Sequence, residues 1–364
     1  MRIRFIIMQS LLLVSAAGFA QRGWGVSPND TLHSTIVTPE GKVLFQIYAP
    51  EAKLVSVSGD LPYSSPVRFV KKDNGVWQGV LNKIDNGVFR YSFSVDGVRV
   101  FDPKSEYGQE TSALLTVAPT GNEYFIRKNV PHGAVAQRFY HSDVLGRTMR
   151  LHVWTPAGYE RKAKKLPVLY LIHGGGDTDN AWPTVGAAGD ILDNLLAEGK
   201  MEPMIVVMPN GSVETSAFTD ELMTDIIPFI ESNYKVKTGS KNRAIAGLSM
   251  GGMEVLDALT RHYDSFDSYW VLSSGWFPAQ AEDFKARGDK LMEISDDLKK
   301  HVKKLAFYQG GPEDIAYNNC LAMLKLFDAA GIEYEFHEGP GGHSWFTWRR
   351  DLHDIAPRMF KKSF

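Results

Sequence analysis

Five short apolar runs after residue 165 restrict the fold of the chain more than any other feature. They read "LPVLYLI", "MIVVMP", "RAIAGLS", "SYWVLSS" and "KLAFYQ", and helical segments are predicted near 186–198, 219–233, 250–261 and 315–330. Strands in which apolar residues do not alternate with polar ones lie in sheets covered on both faces. Together with an antiparallel pair, "AVAQRFYHS" and "RTMRLHVWTP", they predict an α/β domain with a mostly parallel sheet over residues 133–364.

The preceding part of the chain has a different pattern. Over residues 30–118 the runs are short and apolar residues mostly alternate with polar ones, as in "KVLFQIYAP" and "GVFRYSFSVDGVRV". "DNG" occurs at 73–75 and at 85–87, where a tight turn would require a positive φ. These features predict a small all-β sandwich, joined to the α/β domain by a linker over 119–132.

The first residues, "MRIRFIIMQSLLLVSAAGFAQ", are typical of a targeting segment. Arg2 and Arg4 precede an apolar run, and the small residues Gly18 and Ala20 stand at the −3 and −1 positions of a cleavage site. The sequence therefore predicts a signal peptide over residues 1–20 and a secreted or periplasmic protein. No other long apolar run is present, so no membrane span is expected.

Charge and cysteine content exclude several classes of function. The 40 basic and 42 acidic side chains give a net charge of −2, and this balance argues against binding nucleic acid. Cys320 is the only cysteine and cannot form an intrachain disulfide. The ten histidines are scattered, and no histidine and cysteine cluster has the spacing of a zinc site, so no protein metal site is expected.

The pentapeptide "GLSMG", residues 247–251, has the G-x-S-x-G pattern of a nucleophile elbow. In an elbow, the chain turns sharply from strand to helix, and the strained turn projects the serine oxygen above the sheet. A strand is predicted before the motif and a helix after it, as an elbow requires. Ser249 is therefore the candidate nucleophile, although two glycines around a serine also occur in ordinary turns.

A serine nucleophile requires a base and a carboxylate, which in this type of fold follow the serine in the order acid, histidine. His343 lies in a glycine-rich loop, "EGPGGHSWFTWR", after the last predicted strand. "LAFYQGGPEDIAY" supplies both Glu313 and Asp314 after an earlier strand. Asp314 is preferred because its spacing from Gly311 allows the chain to turn its carboxylate back, but Glu313 remains an alternative, and either residue would also suit a helix cap.

Attack on an ester creates an oxyanion, which backbone N–H groups must stabilise. "YLIHGGGDTDNAW" ends an early strand in a glycine-rich loop, and Met250 follows the candidate nucleophile. Gly175 and Met250 are therefore the predicted oxyanion hole. The loop lacks the lysine and the spacing of a phosphate-binding P-loop. His173, at the strand end, is interpreted as structural rather than as a second base.

These motifs resemble those of carbohydrate esterase family 1, a family that includes feruloyl and acetylxylan esterases and is similar to the enterochelin esterases. The resemblance also includes three segments in the order found in that family, "DIIPFIESNYKV", "GGPED" and "GGHSWFTWR". The resemblance covers residues from about 130 to 364. It implies an α/β hydrolase fold, a serine esterase without a cofactor, and an acylated plant polysaccharide or oligosaccharide as substrate. It also assigns triad roles to Ser249, Asp314 and His343, and the oxyanion hole to Gly175 and Met250.

The N-terminal part is similar to carbohydrate-binding module family 48, an early-set, immunoglobulin-like sandwich, through "VLFQIYAPEAKLVSVSGD" and "YSFSVDGVRVFDP". Trp77, Phe89 and Tyr91 are therefore candidates for stacking on sugar, but aromatic residues in a small sandwich more often belong to its core. The resemblance does not establish that this domain binds glycan, and its role can be confined to shaping the cleft.

Several alternatives remain open at the level of sequence. Trp182, Trp276 and Trp345 are the predicted substrate-binding residues, with Phe277 beside them, although each residue equally suits packing. Hydrolysis of feruloyl esters is the leading functional hypothesis. The alternative hypotheses are hydrolysis of acetylxylan, hydrolysis of a siderophore ester, and glycan binding by a protein whose hydrolase domain is inactive.

The charged segment 275–304 is expected to be a mostly solvated helix, and the sequence predicts no oligomeric state.

Overall fold

The computed structural model describes residues 27–61, 66–105, 108–110, 112–161 and 164–361. The predicted signal peptide lies outside these residues. Among the helices of the described residues, none combines the length and the apolar character that crossing a bilayer requires.

The N-terminal part consists of two antiparallel sheets packed face to face. One has the strand order β1-β2-β5-β4 and the other β3-β6-β9-β8, with β7 paired to β6. The strands are β1 Thr35–Val37, β2 Val43–Tyr48, β3 Val55–Gly59, β4 Phe69–Lys71, β5 Val76–Leu81, β6 Gly87–Val95, β7 Val98–Val100, β8 Gly108–Gln109 and β9 Ser112–Val117. The predicted β-sandwich is confirmed.

Aromatic rings fill the space between the two sheets. Phe45 meets Tyr91 and Phe93 in edge-to-face contacts, with ring centroids 5.5 and 6.4 Å apart. Tyr91 is fully buried and donates its hydroxyl to Asp102 Oδ2 at 2.5 Å, and Trp77 is also in this core. Of the three aromatic residues considered for sugar stacking, only Phe89 reaches a cavity surface.

The two "DNG" sequences have different conformations. Gly75 has a φ of +81°, as the tight turn requires, whereas Gly87 begins β6 without a positive φ. The prediction was therefore wrong for Gly87. Its missing side chain serves close packing instead, because a Cβ there would lie 2.7 Å from Arg349 Nη2 of the second domain.

The C-terminal part contains one eight-stranded sheet with the order β10-β11-β13-β12-β14-β15-β16-β17. Strand β11 is antiparallel to both of its neighbours, β10 and β13, and all pairs from β13 to β17 are parallel. The strands are β10 Ala134–Ser142, β11 Arg147–Thr155, β12 Val168–Ile172, β13 Ile205–Pro209, β14 Arg243–Leu248, β15 Ser268–Leu272, β16 Lys304–Gln309 and β17 Glu335–Glu338. Every residue of β12, β13 and β15 is buried, so the predicted α/β hydrolase sheet is confirmed.

Helices cover both faces of this sheet. They are α1 Ala188–Ala197, α2 Thr215–Glu221, α3 Ile227–Asn233, α4 Met250–Arg261, α5 Ala281–His301, α6 Tyr317–Ala329 and α7 Trp345–Ile355. The single helix predicted near 219–233 is instead α2 and α3 joined by a π-helical turn over Leu222–Ile226. Pro228 in the first turn of α3 cannot donate an amide hydrogen bond to the preceding turn, which disrupts the α-helical pattern there. Helix α5 buries only Leu291, Ile294 and Leu298, in agreement with a mostly solvated helix.

The segment between the two domains is itself packed. Phe125 is buried with the residues of α1, and Asn194 of α1 donates hydrogen bonds to the carbonyls of Tyr124 and Ile126 at 2.9 and 2.8 Å. These backbone groups are thereby satisfied within the protein. The connection therefore fixes the sandwich against the α/β domain.

Arg349 of α7 is the most buried charge between the domains. Its side chain donates to the carbonyls of Val88 in β6 and Val185 at 3.1 and 2.8 Å, and its guanidinium lies 5.5 Å from the centroid of the Phe125 ring. The residue is 1% exposed. Burial lowers the pKa of Arg349 to about 10, so the side chain still carries its charge at neutral pH.

We expect Arg349→Met to lower the free energy of unfolding by about 2–4 kcal/mol, because two buried carbonyls lose their donor while most of the side-chain volume is kept. Denaturant unfolding followed by tryptophan fluorescence measures the change. Lys285→Met, which removes an exposed cation paired with Asp289, is the control and should change stability by less than about 0.5 kcal/mol. Equal stability of wild type and Arg349→Met would contradict a structural role for this residue.

Candidate active site

Ser249 lies between β14 and α4 in a strained backbone conformation. Its φ of +53° and ψ of −115° are outside the regions that residues with a side chain normally adopt. The Ser249 amide donates to the carbonyl of Leu272, at the end of the neighbouring strand β15, at 2.8 Å. The chain therefore turns from strand to helix within one residue, as the elbow motif predicts.

The glycines of the motif are required by close backbone packing. A Cβ on Gly247 would lie 2.2 Å from the carbonyl oxygen of Gly251, and a Cβ on Gly251 would lie 2.4 Å from the carbonyl oxygen of His173. Both contacts involve backbone atoms, which cannot rotate away. The glycines thus allow α4 to start against the ends of β12 and β14.

His343 and Asp314 are held in neighbouring loops. The loop with Asp314 follows β16, the loop with His343 follows β17, and these strands are adjacent and parallel. The Gly342 amide donates to the Gly310 carbonyl at 2.8 Å. Gly341 and Gly342 have φ values of +119° and +60°, so both use conformations that favour glycine.

The three side chains form one chain of hydrogen bonds. Ser249 Oγ lies 2.9 Å from His343 Nε2, and His343 Nδ1 lies 2.8 Å from Asp314 Oδ1. Asp314, rather than Glu313, faces the imidazole. Glu313 Oε1 instead accepts the Gly341 amide at 3.3 Å. Both acidic residues follow β16, but only Asp314 turns back towards the sheet.

Asp314 is fixed by further hydrogen bonds. Its side chain is fully buried and accepts the amides of Gly310 and Ala316 at 3.2 and 2.9 Å. Burial acts to raise the pKa of Asp314, but the hydrogen bonds from His343 and Ala316 outweigh it, so the pKa is lower than usual. The carboxylate therefore remains ionised and orients the His343 ring through Nδ1.

Gly175 lies close to Met250, the residue that follows Ser249. A Cβ on Gly175 would be 3.9 Å from the Met250 Cβ, and Met250 occupies the first turn of α4, where amides have no acceptor within the helix. His173 is buried; its Nε2 accepts the Gly211 amide at 3.0 Å and its Nδ1 lies 2.8 Å from the Gly174 carbonyl. Both nitrogens of His173 thus contact the backbone, which agrees with a structural role.

Two cavities of about 360 Å³ each meet at His343. The first, which we call the apolar pocket, contains Ser249 and is lined by Met253, Phe277 and Ile315. The second, which we call the polar pocket, contains Gly175 and is lined by Asp60, Arg90 and Asp177. Asp60 and Arg90 belong to the sandwich, so the N-terminal domain contributes directly to the cleft.

The structure corrects two of the predicted substrate-binding residues. Trp276 is fully buried and stacks on Phe327, and Trp182 is 1% exposed and donates its Nε1–H to the Ile172 carbonyl at 3.1 Å. Neither can touch a substrate, because the core of the domain encloses them. Trp345 is also largely buried but lines the polar pocket.

Sequence reasoning missed Trp348, whose ring meets the His343 ring edge-on at 5.1 Å. Trp348 packs on Trp345, and Trp345 packs on Trp182, at 5.2 and 5.1 Å between centroids. These three tryptophans therefore support the imidazole from the core. The spacing of three residues in "WFTW" was the available signal, since it places both tryptophans on one helix face. Phe277, which sequence analysis considered without preference, is 48% exposed in the apolar pocket.

One group of potential metal ligands occurs among the described residues. Donor atoms of His132, Asp190 and Asp193 lie within 4.8 Å of one another. They already have protein partners: His132 Nδ1 is 3.1 Å from Asp193, and Asp190 accepts from Arg127 at 3.0 Å. The group does not line either pocket beside Ser249, and no metal role is assigned to it.

Gly251→Ala is expected to reduce ester hydrolysis by at least about 100-fold, since the new methyl group would displace the backbone that carries Ser249. Initial rates on a soluble aryl ester measure this loss. Gly189→Ala is the control, because a Cβ there would have its nearest contact at 3.5 Å and the residue is helical. That variant should retain its rate and its stability. Full activity in Gly251→Ala would contradict the proposed packing.

Comparison with known proteins agrees with this geometry. Residues 142–359 match the family model described as "Putative esterase", and residues 26–111 match the model of carbohydrate-binding module 48, the isoamylase N-terminal domain. A Xylanibacter ruminicola protein named endo-1,4-beta-xylanase/feruloyl esterase is 34% identical over an alignment of 349 residues. The alignment covers 90% of this chain and 46% of that protein, so this chain spans less than half of its relative's length.

Two solved structures are similar in fold. A ferulic acid esterase superposes with a TM-score of 0.56 at 27% identity, covering 63% of this chain and 98% of that one. The enterobactin esterase of Shigella flexneri superposes with a TM-score of 0.61 at 15% identity, covering 88% of this chain and 92% of that one. At that identity the second likeness concerns the fold alone. The chain belongs to the esterase family that its C-terminal domain matches, and carries a domain of the carbohydrate-binding module 48 type before it.

Proposed function

We propose that this protein is a serine esterase that removes feruloyl or related hydroxycinnamoyl groups from a plant cell-wall polysaccharide such as arabinoxylan. The observation that carries the proposal is the hydrogen-bond chain from Ser249 through His343 to Asp314. The name of the Xylanibacter relative supports the choice of acyl group and glycan. Export through residues 1–20 belongs to the same proposal, because a polysaccharide substrate lies outside the cell.

In the proposed mechanism, His343 acts as the base. Its Nε2 accepts the proton of Ser249 Oγ as that oxygen attacks the ester carbonyl, and its Nδ1–H remains bonded to Asp314. The imidazolium then donates the proton to the departing sugar oxygen. Water then attacks the acyl carbonyl while His343 Nε2 takes its proton. The bond between the acyl carbon and Ser249 Oγ breaks, His343 returns the proton to that oxygen, and the free acid leaves.

The negative charge of the tetrahedral intermediate develops on the former carbonyl oxygen of the ester, which must be stabilised by hydrogen-bond donors. The amides of Gly175 and Met250 are the proposed donors, with the Met250 amide at the N-terminus of α4. A helix N-terminus carries partial positive charge, which favours a developing anion. Because His173 bonds the Gly174 carbonyl and the Gly211 amide, the loop with Gly175 is held in place before the substrate arrives.

The apolar pocket is the proposed site of the acyl group. Met253, Phe277 and Ile315 give it a lining that favours an aromatic ring over water. Its volume of about 360 Å³ exceeds what an acetyl group fills. An acetyl group would leave most of this surface in contact with solvent, so the pocket favours a hydroxycinnamoyl ester over an acetyl ester.

A siderophore esterase is the second candidate, because the enterobactin esterase shares this two-domain fold over 88% of the chain. A ferric catecholate is anionic, whereas the charges of Asp60, Asp177 and Arg90 in the polar pocket are paired with one another. Rates on methyl ferulate, acetylated xylan and a catecholate lactone separate the candidates. Fastest cleavage of the lactone would replace the feruloyl ester proposal, and fastest release of acetate would favour an acetylxylan esterase.

Ser249→Ala should reduce the rate of methyl ferulate hydrolysis by at least about 10⁴-fold, since it removes the oxygen that is proposed to form the acyl-enzyme. Product release is measured by chromatography, and circular dichroism checks that the fold is retained. Ser295→Ala, which changes a partly exposed serine of α5, is the matched control and should hydrolyse the ester at the wild-type rate. Near wild-type turnover by Ser249→Ala would refute the mechanism.

The two acidic residues after β16 give a second test. Asp314→Asn should reduce kcat by about 10³- to 10⁴-fold, because an amide cannot stabilise the imidazolium and favours the wrong tautomer of His343. Glu313→Gln, at the neighbouring position, should lower kcat by less than about tenfold, because Glu313 contacts only the Gly341 backbone. Steady-state kinetics on methyl ferulate distinguish the variants, and a reversed order would transfer the role of the acid to Glu313.

A further inference from the structure

The loop between β12 and α1 carries the proposed oxyanion donor Gly175. Residues 174–179, which we call the glycine loop, begin with three consecutive glycines, and Gly176 has a φ of +80°. A run of glycines loses much conformational freedom when it is held in one conformation. Contacts made by the neighbouring residues must therefore fix the position of the Gly175 amide.

Such contacts occur on both sides of the glycines. Before them, His173 Nδ1 lies 2.8 Å from the Gly174 carbonyl oxygen. After them, the Asp177 carboxylate pairs with Arg90 of β6, and the Asp177 carbonyl accepts the Ser212 hydroxyl at 2.9 Å. Asp177 also lines the polar pocket, so a change at this residue would alter substrate contacts together with the loop.

Asp179 is held more completely and from the other side. Its side chain is fully buried and is bound by Arg150 of β11, whose Nε donates to Oδ2 at 2.9 Å and whose Nη2 donates to Oδ1 at 2.8 Å. His152, two residues further along the same face of β11, brings its Nδ1 to 2.7 Å from Oδ2. Bidentate pairing fixes direction as well as distance. Strand β11 thereby anchors the glycine loop close to Gly175.

Asp179 and Arg150 are both charged at neutral pH. Burial acts to raise the pKa of Asp179, but the hydrogen bonds from His152 and Arg150 outweigh it and leave the pKa below its usual value. The hydrogen bond to Asp179 in turn raises the pKa of Arg150. Removing the carboxylate charge would leave Arg150 without its main partner, so the anchor would loosen.

The sandwich contributes to the same anchor through Glu110, in the turn between β8 and β9. Glu110 Oε1 accepts Arg150 Nη2 at 2.9 Å and the Thr178 hydroxyl at 3.3 Å. Its φ of +45° lies in the left-handed region, where residues with a side chain are uncommon. Such a conformation persists only where the surrounding structure enforces it, and functional sites are frequent examples. Glu110 thus links the N-terminal domain to the glycine loop.

We infer that Asp179 is a positioning residue for the oxyanion donor Gly175, and that the sandwich assists the chemical step through Glu110. This role rests on the proposed function, in which the Gly175 amide stabilises the oxyanion. The described residues that line the apolar and polar pockets do not include Asp179, Arg150 or Glu110. A change at these residues therefore acts on an ester only through the loop. A displaced donor slows both acylation and deacylation, because each passes through a tetrahedral intermediate.

Asp179→Asn keeps the size of the side chain and removes its charge. We expect kcat for p-nitrophenyl acetate to fall by about 10- to 100-fold, with KM within about twofold of the wild type. Steady-state kinetics measure both constants. This ester tests the loop independently of the feruloyl assignment.

Inhibition by trifluoroacetophenone separates positioning from a general structural effect. Ser249 Oγ adds to the carbonyl carbon of this ketone, His343 takes the serine proton, and the former carbonyl oxygen becomes an anion that needs the same donors. The inhibition constant should therefore rise in Asp179→Asn by a factor similar to the loss in kcat. The affinity for ferulic acid, which forms no such anion, should change by less than about twofold.

Asp193→Asn is the matched control. Asp193 is a buried carboxylate of α1 that contacts His132 and the Trp154 indole N–H, at 3.1 and 3.2 Å, and it is not among the described residues that line the two pockets. Its kcat should stay within about twofold of the wild type even where stability falls.

Glu110→Gln tests the contribution of the sandwich, and 45% of this side chain is exposed, so the fold should tolerate the change. We expect kcat to fall by about 2- to 5-fold with KM unchanged. The same substitution should add less than this in Asp179→Asn, because both residues act through Arg150. If Asp179→Asn does not fold, the kcat and the trifluoroacetophenone inhibition of Glu110→Gln decide the inference.

A wild-type kcat in folded Asp179→Asn would overturn the inference, and so would a lower kcat with unchanged inhibition by the ketone. If the wild type hydrolyses neither p-nitrophenyl acetate nor methyl ferulate, the proposed function fails, and hydrogen exchange then decides whether Asp179 fixes the loop. The amides of residues 174–179 should exchange at least about fivefold faster in Asp179→Asn than in the wild type or in Asp193→Asn. Equal exchange in all three proteins would overturn the support by Asp179.

Discussion

The buried hydrogen bond between His343 Nδ1 and Asp314 Oδ1 is the interaction on which the candidate site depends. It exists because β16 and β17 are adjacent and parallel, so the loops at their carboxyl ends leave the same edge of the sheet. The amide of Gly342 joins these loops through the Gly310 carbonyl. The ring orientation that brings Nε2 to Ser249 follows from this pairing, and any change in the order of the strands would separate the three side chains.

The imidazole has a second support, in the core of the domain. Trp348 contacts the His343 ring, and Trp345 and Trp182 pack behind it in successive edge-to-face contacts. Large buried rings have few alternative positions in a densely packed interior. The rigid side of the site is therefore made of aromatic packing, while the cleft itself is lined by partly exposed residues such as Phe277. The aromatic residues that support the His343 ring thus differ from those that face the cleft.

The sandwich and the α/β domain are joined by charges that are buried to very different degrees. Arg349 lies within the interface and bonds to carbonyls of both sides, whereas Arg90 pairs with Asp177 at the edge of the cleft. An enclosed cation that bonds to carbonyls of both surfaces fixes their relative position, because leaving those carbonyls unpaired is costly. That fixed position is what allows a strand of the N-terminal domain, β6, to form a wall beside the loop that carries Gly175.

Sequence alone determined the local features of this protein. Unbroken apolar strands require a covered sheet, alternating strands predict the sandwich, and the glycines around Ser249 permit the elbow, because each depends on residues close together in the chain. Only the tertiary structure decided whether Asp314 or Glu313 faces His343, and which aromatic residues reach the cleft. Trp276 and Trp182 lie near the motifs in sequence yet are buried in the core. The polar pocket could not be predicted either, because Arg90 and Phe346 are far apart in the chain and line one cavity only through the packing of two domains, to which no local pattern corresponds.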